Sequence, residues 1–284
     1  MRNGARHSPR HGRLLAAVVS IMAAASAFGA AAPAAHGGHG AAAVAAFDGK
    51  AAIALSQAAV GRTPRDAVFT TADGRRVRLS DFRGKPVVVS FIYTSCAHVC
   101  PATTRHLAKT VRAVRAALGD DSFTVLTIGF DSASDTPAAM ERFARQQNAR
   151  MAGWEFLSAD RATIERVAAD LGFLFVESAK GFDHIAQATV LRADGSVYRQ
   201  IYGVNFETPM LGEPLKELVY DTPPNAPLLS HLNNRVKLFC TVYDAASDRY
   251  VFDYSLFIGL AVGGLSLGSF GFLVVSELRR RPKA

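Results

Sequence analysis

Gly84-Lys85-Pro86-Val87-Val88-Val89-Ser90-Phe91-Ile92-Tyr93-Thr94-Ser95-Cys96-Ala97-His98-Val99-Cys100-Pro101 is the stretch that decides the fold. From Val87 to Tyr93 it is a continuous β-branched and aromatic run, the pattern of a strand covered on both faces. Two thiols follow, Cys96 and Cys100, four residues apart where strand gives way to helix. Beyond them Leu107, Val111, Val114 and Leu118 recur at helical spacing and predict a helix over 103–118. A helix N-terminus offers free N–H groups and partial positive charge, which favour thiolate over thiol. Four-residue spacing lets both sulfurs face one way if the turn is near-helical.

Working outward, a similar buried run at 123–130 predicts a second strand. Pro137, just after Asp135-Thr136, opens a helix over 137–147. Phe156-Leu157 is a short strand candidate, and a helix over 161–171 ends at Gly172. A short strand is expected at 173–176. Two Asp-Gly pairs, Asp73-Gly74 and Asp194-Gly195, sit between strand-like runs and predict hairpins, one before the core strand and one late in the chain. A closing helix is expected over 211–219. Alternation in the middle implies parallel crossovers, and the late hairpin an antiparallel edge. The order describes an α/β domain with a thioredoxin-like fold.

The chain has 284 residues and a formal net charge of +8. Four arginines in residues 1–13 and four basic residues in 279–284 account for all of that excess, so residues 14–278 are neutral overall. No basic stripe, phosphate loop or dinucleotide glycine fingerprint marks the domain, which argues against nucleic-acid or nucleotide partners. The charges instead flank apolar segments. Residues 14–28 are apolar and Ala-rich, with Ala32-Pro33-Ala34 as a cleavage site, and read as a secretory signal peptide. Residues 255–276 carry no charge and are long enough to cross a bilayer. Arg279-Arg280-Arg281 follows and places that end on the cytoplasmic side.

The expected organisation is a signal peptide at 1–34, a flexible Ala/Gly/His linker at 35–62 and a thioredoxin-like domain at 63–220. A juxtamembrane connector of no assigned fold at 221–254, a transmembrane helix at 255–276 and a basic cytoplasmic tail at 277–284 complete it. The globular domain is expected in the periplasm of a bacterial-type cell, held to the inner membrane. Three cysteines in an exported chain make no disulfide scaffold. Cys96 and Cys100 form the natural pair, and Cys240 is left over. It reads as a buried inert thiol, with a second metal contact or an intermolecular disulfide left open.

Far downstream, His184 stands in Gly181-Phe182-Asp183-His184. Two thiols and one imidazole suit a soft metal: thiolates favour Cu(I), and imidazole tolerates Cu(II) and Zn(II). Asp183 is placed either to orient the imidazole or to form a turn. Asp131 and Asp135 follow a strand end and read as loop-shaping or partner-contacting. His36 and His39 belong to the linker. Met210 offers a soft donor by residue type alone.

Tyr93-Thr94-Ser95-Cys96-Ala97-His98-Val99-Cys100-Pro101 resembles the signature of the Sco/SenC family of copper-binding cytochrome oxidase assembly proteins. Gly84-Lys85-Pro86, the Asp-rich run Phe130 to Pro137 and Asp183-His184 match in the same order, so the resemblance covers about residues 63–205. It implies copper ligands at Cys96, Cys100 and His184 and a thioredoxin-like fold. The implied role is copper delivery to, or thiol reduction at, the dinuclear copper centre of a terminal oxidase. The implied partners are that oxidase's copper-receiving subunit and other copper chaperones. Two positions depart from the family pattern: His98 stands where Asp is common, and Ser132 where proline is. His98 is then an extra ligand, a proton-transfer group or an outward-facing surface residue.

Two other readings compete with a metallochaperone. A thiol–disulfide oxidoreductase would use Cys96 and Cys100 as a redox pair. Such enzymes usually carry CxxC and a facing cis-proline, and Gln187-Ala188-Thr189-Val190 has no proline. A peroxiredoxin-like peroxidase would explain Val99-Cys100-Pro101 but leave Cys96 and His184 unused.

Overall fold

The computed structural model describes residues 47–221, 228–247 and 249–280. The expected signal peptide, the His36/His39 stretch and residues 281–284 of the basic tail lie outside the described residues. The framework begins with α1 (Gly49–Ala58), β1 (Val68–Thr71) and β2 (Arg76–Arg78). There follow β3 (Val87–Ile92), α2 (Val99–Leu118), β4 (Thr124–Gly129), α3 (Pro137–Gln146), β5 (Trp154–Ser158) and α4 (Arg161–Asp170). Then come β6 (Phe175–Ser178), β7 (Gly181–His184), β8 (Gln187–Leu191), β9 (Val197–Tyr202) and α5 (Thr208–Tyr220). One main sheet has the order β2-β1-β5-β4-β3-β8-β9. β3 is parallel to β4, and β4 to β5, whereas β8 runs antiparallel to β3 and β9 to β8. Every residue of β3 and of β4 is buried, so both faces of the sheet centre are covered. The fold is the expected thioredoxin-like α/β arrangement, and both Asp-Gly hairpins form where expected, with Gly74 and Gly195 at positive φ.

Four stretches differ from the expectation. α2 begins at Val99, not near residue 103, and so takes Cys100 and Pro101 into its first turn. Proline is tolerated there because the first-turn N–H groups have no intrahelical partner. Second, the strand expected at 173–176 is β6, and it pairs antiparallel with an unforeseen β7. His184, in a stretch for which no element is expected, therefore stands on a strand opposite Phe175.

Third, the expected linker at 35–62 carries α1, capped by the Asp48 side chain accepting from Lys50 and Ala51 N–H. It is part of the domain. A Cβ on Gly172 would lie 2.7 Å from Ser56 Cα and 2.8 Å from the Leu55 carbonyl, and Gly172 holds φ +68°. Gln200 donates to the Ser56 carbonyl and Tyr202 to its hydroxyl. Fourth, the connector is structured where it is described. It forms α6 (Leu228–Cys240), then a hairpin of β10 (Thr241–Asp244) and β11 (Arg249–Phe252). β11 packs against α2, and α6 against α5. The last helix, α7 (Ser255–Arg280), contains an apolar stretch, Ser255–Ser276, long enough to span a membrane.

Candidate metal centre

α2 lacks the usual cap. His98 precedes its first turn with no side-chain capping bond, and that turn holds no acidic residue. The Cys96 sulfur takes the role, accepting the Cys100 N–H at 3.3 Å. Burial pushes the half-buried Cys96 thiol up, but the Cys100 and His98 N–H groups, the Cys100 thiol and the Tyr93 hydroxyl all donate to it. The balance leaves it below the ordinary cysteine range. Cys100 is 2% exposed. Burial pushes its thiol well up, only partly offset by the Tyr93 N–H, and a charged Cys96 adds to the rise. The pair is therefore unequal: an acidic, accessible sulfur hydrogen-bonded to a buried, protonated one.

Tyr93 ties this pair to the β6–β7 hairpin. Burial and the bond it donates to Cys96 push its hydroxyl up to about 12, while the Phe182 N–H donates back to its oxygen. Gly181, at φ +111°, lets the hairpin approach: a Cβ there would sit 3.2 Å from the Tyr93 oxygen. In the sequence Tyr93 is marked only by its place at the end of a buried strand and at the head of the signature-like stretch, neither of which states this role.

His184 is half-buried in an aromatic box, with ring centroids 5.3 Å from Phe130, 5.5 Å from Phe173 and 6.1 Å from Tyr93. Burial lowers its pKa, against the bond to Ile185 and the charge of Asp183. Nδ1 lies 2.9 Å from the Ile185 carbonyl. A carbonyl only accepts, so Nδ1 carries the proton and Nε2 keeps a free lone pair. The acceptor that orients the imidazole is thus Ile185. Asp183 is exposed and alternates to the other face of β7.

Cys100 and His184 line one pocket together with Ile92, Val99, Leu107 and Phe206. Cys96 is not part of that lining but is joined to it by the bond from the Cys100 N–H. Among the described residues no group of three His, Cys, Asp or Glu side chains is close enough to hold an ion as it stands. The donor set suits a soft cation. Closing a three-ligand site requires the imidazole and the thiols to move together.

The remaining candidates separate cleanly. Asp135 is 1% exposed and accepts from Thr94 N and Oγ1, each at 2.7 Å, and from Asp131 N at 2.9 Å. It fastens the loop before Cys96 to the end of β4, where Gly129 leaves room for its Cβ. His98 is exposed, Met210 is 44% exposed on α5, and Cys240 is buried at the end of α6.

A family model for SCO1/SenC matches residues 60–218. The chain belongs to the SCO1/SenC family. An SCO1 protein homolog of Bacillus subtilis is 25% identical to this Sco chain over 140 residues, 48% of this chain and 72% of that one. A mitochondrial SCO2 homolog of Bos taurus is 38% identical over 102 residues, 35% of this chain and 37% of its own length. A crystal structure from Aquifex aeolicus VF5, 26% identical, aligns with a TM-score of 0.52 over 58% of the Sco chain and 97% of its own. The described helix α1 begins before the matched region, and α6, the β10–β11 hairpin and α7 lie beyond it.

Proposed function

We propose that this Sco protein is a membrane-tethered periplasmic copper metallochaperone. Copper is its cargo, taken by Cys96, Cys100 and His184 and passed to the dinuclear copper centre of a respiratory terminal oxidase. The observation that carries this reading is the pairing of an acidified thiol with an imidazole whose Nδ1 proton is already engaged. Cys96, held below the ordinary cysteine range, gives up its proton more readily than a free thiol, Cys100 gives up its proton on ligation, and Nε2 of His184 offers its lone pair without tautomer change. Asp135 and Tyr93 hold the loop in place around the metal. α7 supplies the tether, and its basic flank favours a cytoplasmic C-terminus.

The inequality of the two thiols favours one further reading, thiol–disulfide exchange. An accessible, acidic Cys96 attacks a partner disulfide, and Cys100 resolves the mixed disulfide; the partner is reduced and the Cys96–Cys100 pair oxidised. Both chemistries use the same two sulfurs.

The experiment is an anaerobic competition titration of the reduced full chain in detergent against a chromophoric Cu(I) chelator. One tightly held copper per chain is expected. Cys96→Ser, Cys100→Ser and His184→Ala each weaken it by at least about a hundredfold, since disturbing even a ligand's support costs 10–100-fold. His98→Ala and Cys240→Ser retain it. Full affinity in His184→Ala would sink the ligand assignment. Absence of tight copper, with a reversible Cys96–Cys100 disulfide, would select exchange chemistry.

A further inference from the structure

α6 exposes a stripe that a soluble surface does not explain. Leu229 is 79% exposed, Leu232 60% and Phe239 75%. Together with half-buried Val236 they fall within about 80° of one another at 100° per residue, and so form one side of the helix. Arg235 and Lys237 flank the stripe and are exposed.

The position of α6 says what covers this face. The Cys240 carbonyl, at the last residue of α6, accepts the Asp253 N–H at 2.7 Å. Asp253 lies two residues before α7 and accepts the Ser255 N–H. The C-terminal end of α6 is thereby fastened beside the start of the membrane-spanning stretch, with Phe239 next to the junction. Aromatic residues gather there: Phe252 lies 4.8 Å from Tyr254 and 6.0 Å from Phe257 between ring centroids. Tyr254, 62% exposed, carries the amphipathic kind of ring that settles at the level of lipid headgroups.

We propose that α6 lies on the membrane surface, with Leu229, Leu232 and Phe239 inserted at the headgroup–acyl boundary of a phospholipid bilayer. Arg235 and Lys237 run their apolar stems along the same boundary and reach anionic headgroups. The inference rests on α7 spanning that membrane and extends it, because it adds a second, lateral contact. A single span leaves a domain free to swing. A span plus a surface helix fixes its tilt. The restraint reaches the thiols, because β11 packs against α2, whose first turn holds Cys100.

The full chain reconstituted into vesicles of phosphatidylcholine and phosphatidylglycerol, brominated near the headgroup end of the acyl chains, tests this. The parent chain has one tryptophan, Trp154, 6% exposed in the domain core and a steady background. Leu232→Trp and Phe239→Trp place reporters on the stripe, where exposure makes folding tolerant of the change. The expected result is roughly twofold quenching of the added fluorescence by lipid bromine, together with protection from aqueous acrylamide. Quenching by acrylamide alone, as on a solvated face, would overturn the proposal. So would protection from both quenchers, which a covering protein or a second copy would give. Flotation with the vesicles but no bromine quenching overturns the surface helix while the anchor stands. Failure to float removes both.

Discussion

Tyr93 shows how one side chain couples the thiols to the imidazole. Its hydroxyl donates to Cys96 and accepts from Phe182 N–H, and its ring forms one wall of the box around His184. Tyr93→Phe removes the donor and leaves the ring. The Cys96 pKa, held below its usual range by such donors, then rises. Thiolate is the reacting species, so the pH profile of Cys96 alkylation by iodoacetamide moves to higher pH in the variant. An unmoved profile would assign the acidity to the Cys100 and His98 N–H groups and the Cys100 thiol. Cys100 carries the opposite sign. Its thiol is pushed up by burial, so it is protonated at neutral pH, and ligation must expel that proton. Copper affinity is therefore expected to rise with pH, by about tenfold per unit for one proton released. Competition titrations across roughly pH 6 to 8 measure this. A flat profile would mean that Cys100 does not ligate as thiolate.

At the scale of elements, the site depends on a hairpin and a helix that short-range patterns hide. α2 and β3 were legible because their apolar periods are long and unbroken, and the cysteines were placed by that strand-to-helix step. The β6–β7 hairpin was not. Each strand has four residues and only partial burial, and its turn relies on Gly181 at positive φ. The sequence predicts β6 alone, and no pattern in it places His184 on a strand. α1 was masked by the Ala-rich composition before it. Its sequence Gly49–Ala58 differs little from low-complexity linker until its contacts with Gly172, Gln200 and Tyr202 appear. Those contacts are long-range, so no local pattern could announce them. Gly172→Ala tests their weight. A Cβ would strike the α1 backbone, and φ +68° strains any L side chain. A loss of about 2–4 kcal/mol is expected, read as a lower midpoint in thermal unfolding of the detergent-solubilised chain. Hydrogen exchange should quicken in α1 first. An unchanged midpoint would show that α1 does not rest on this glycine.

For the whole molecule, the proposed function raises the question of what a membrane tether would add to a metal carrier. Binding and transfer make different demands. The three expected ligands lie on β7, at the start of α2 and in the loop before it, all upstream of Ser255. Affinity is thus a property of the domain. Transfer is a bimolecular encounter, and residues 14–278 have no net charge to steer it. On the proposed reading, confinement to the same membrane as the acceptor would supply the effective concentration that charge does not. A chain ending at residue 254 separates the two. Its copper affinity is expected to stay within about twofold of the full chain, because no ligand support is lost. Any residual attachment through α6 should be weak and reversed by salt, as for an interfacial helix without a span. In cells lacking the full-length protein, the shortened chain should leave the oxidase short of copper, measured as metal per purified enzyme. At raised expression the deficit should narrow, because higher concentration substitutes for confinement. Full metallation at native expression would show that the tether is dispensable for delivery. A loss of affinity would instead show that the metal site depends on residues beyond 254.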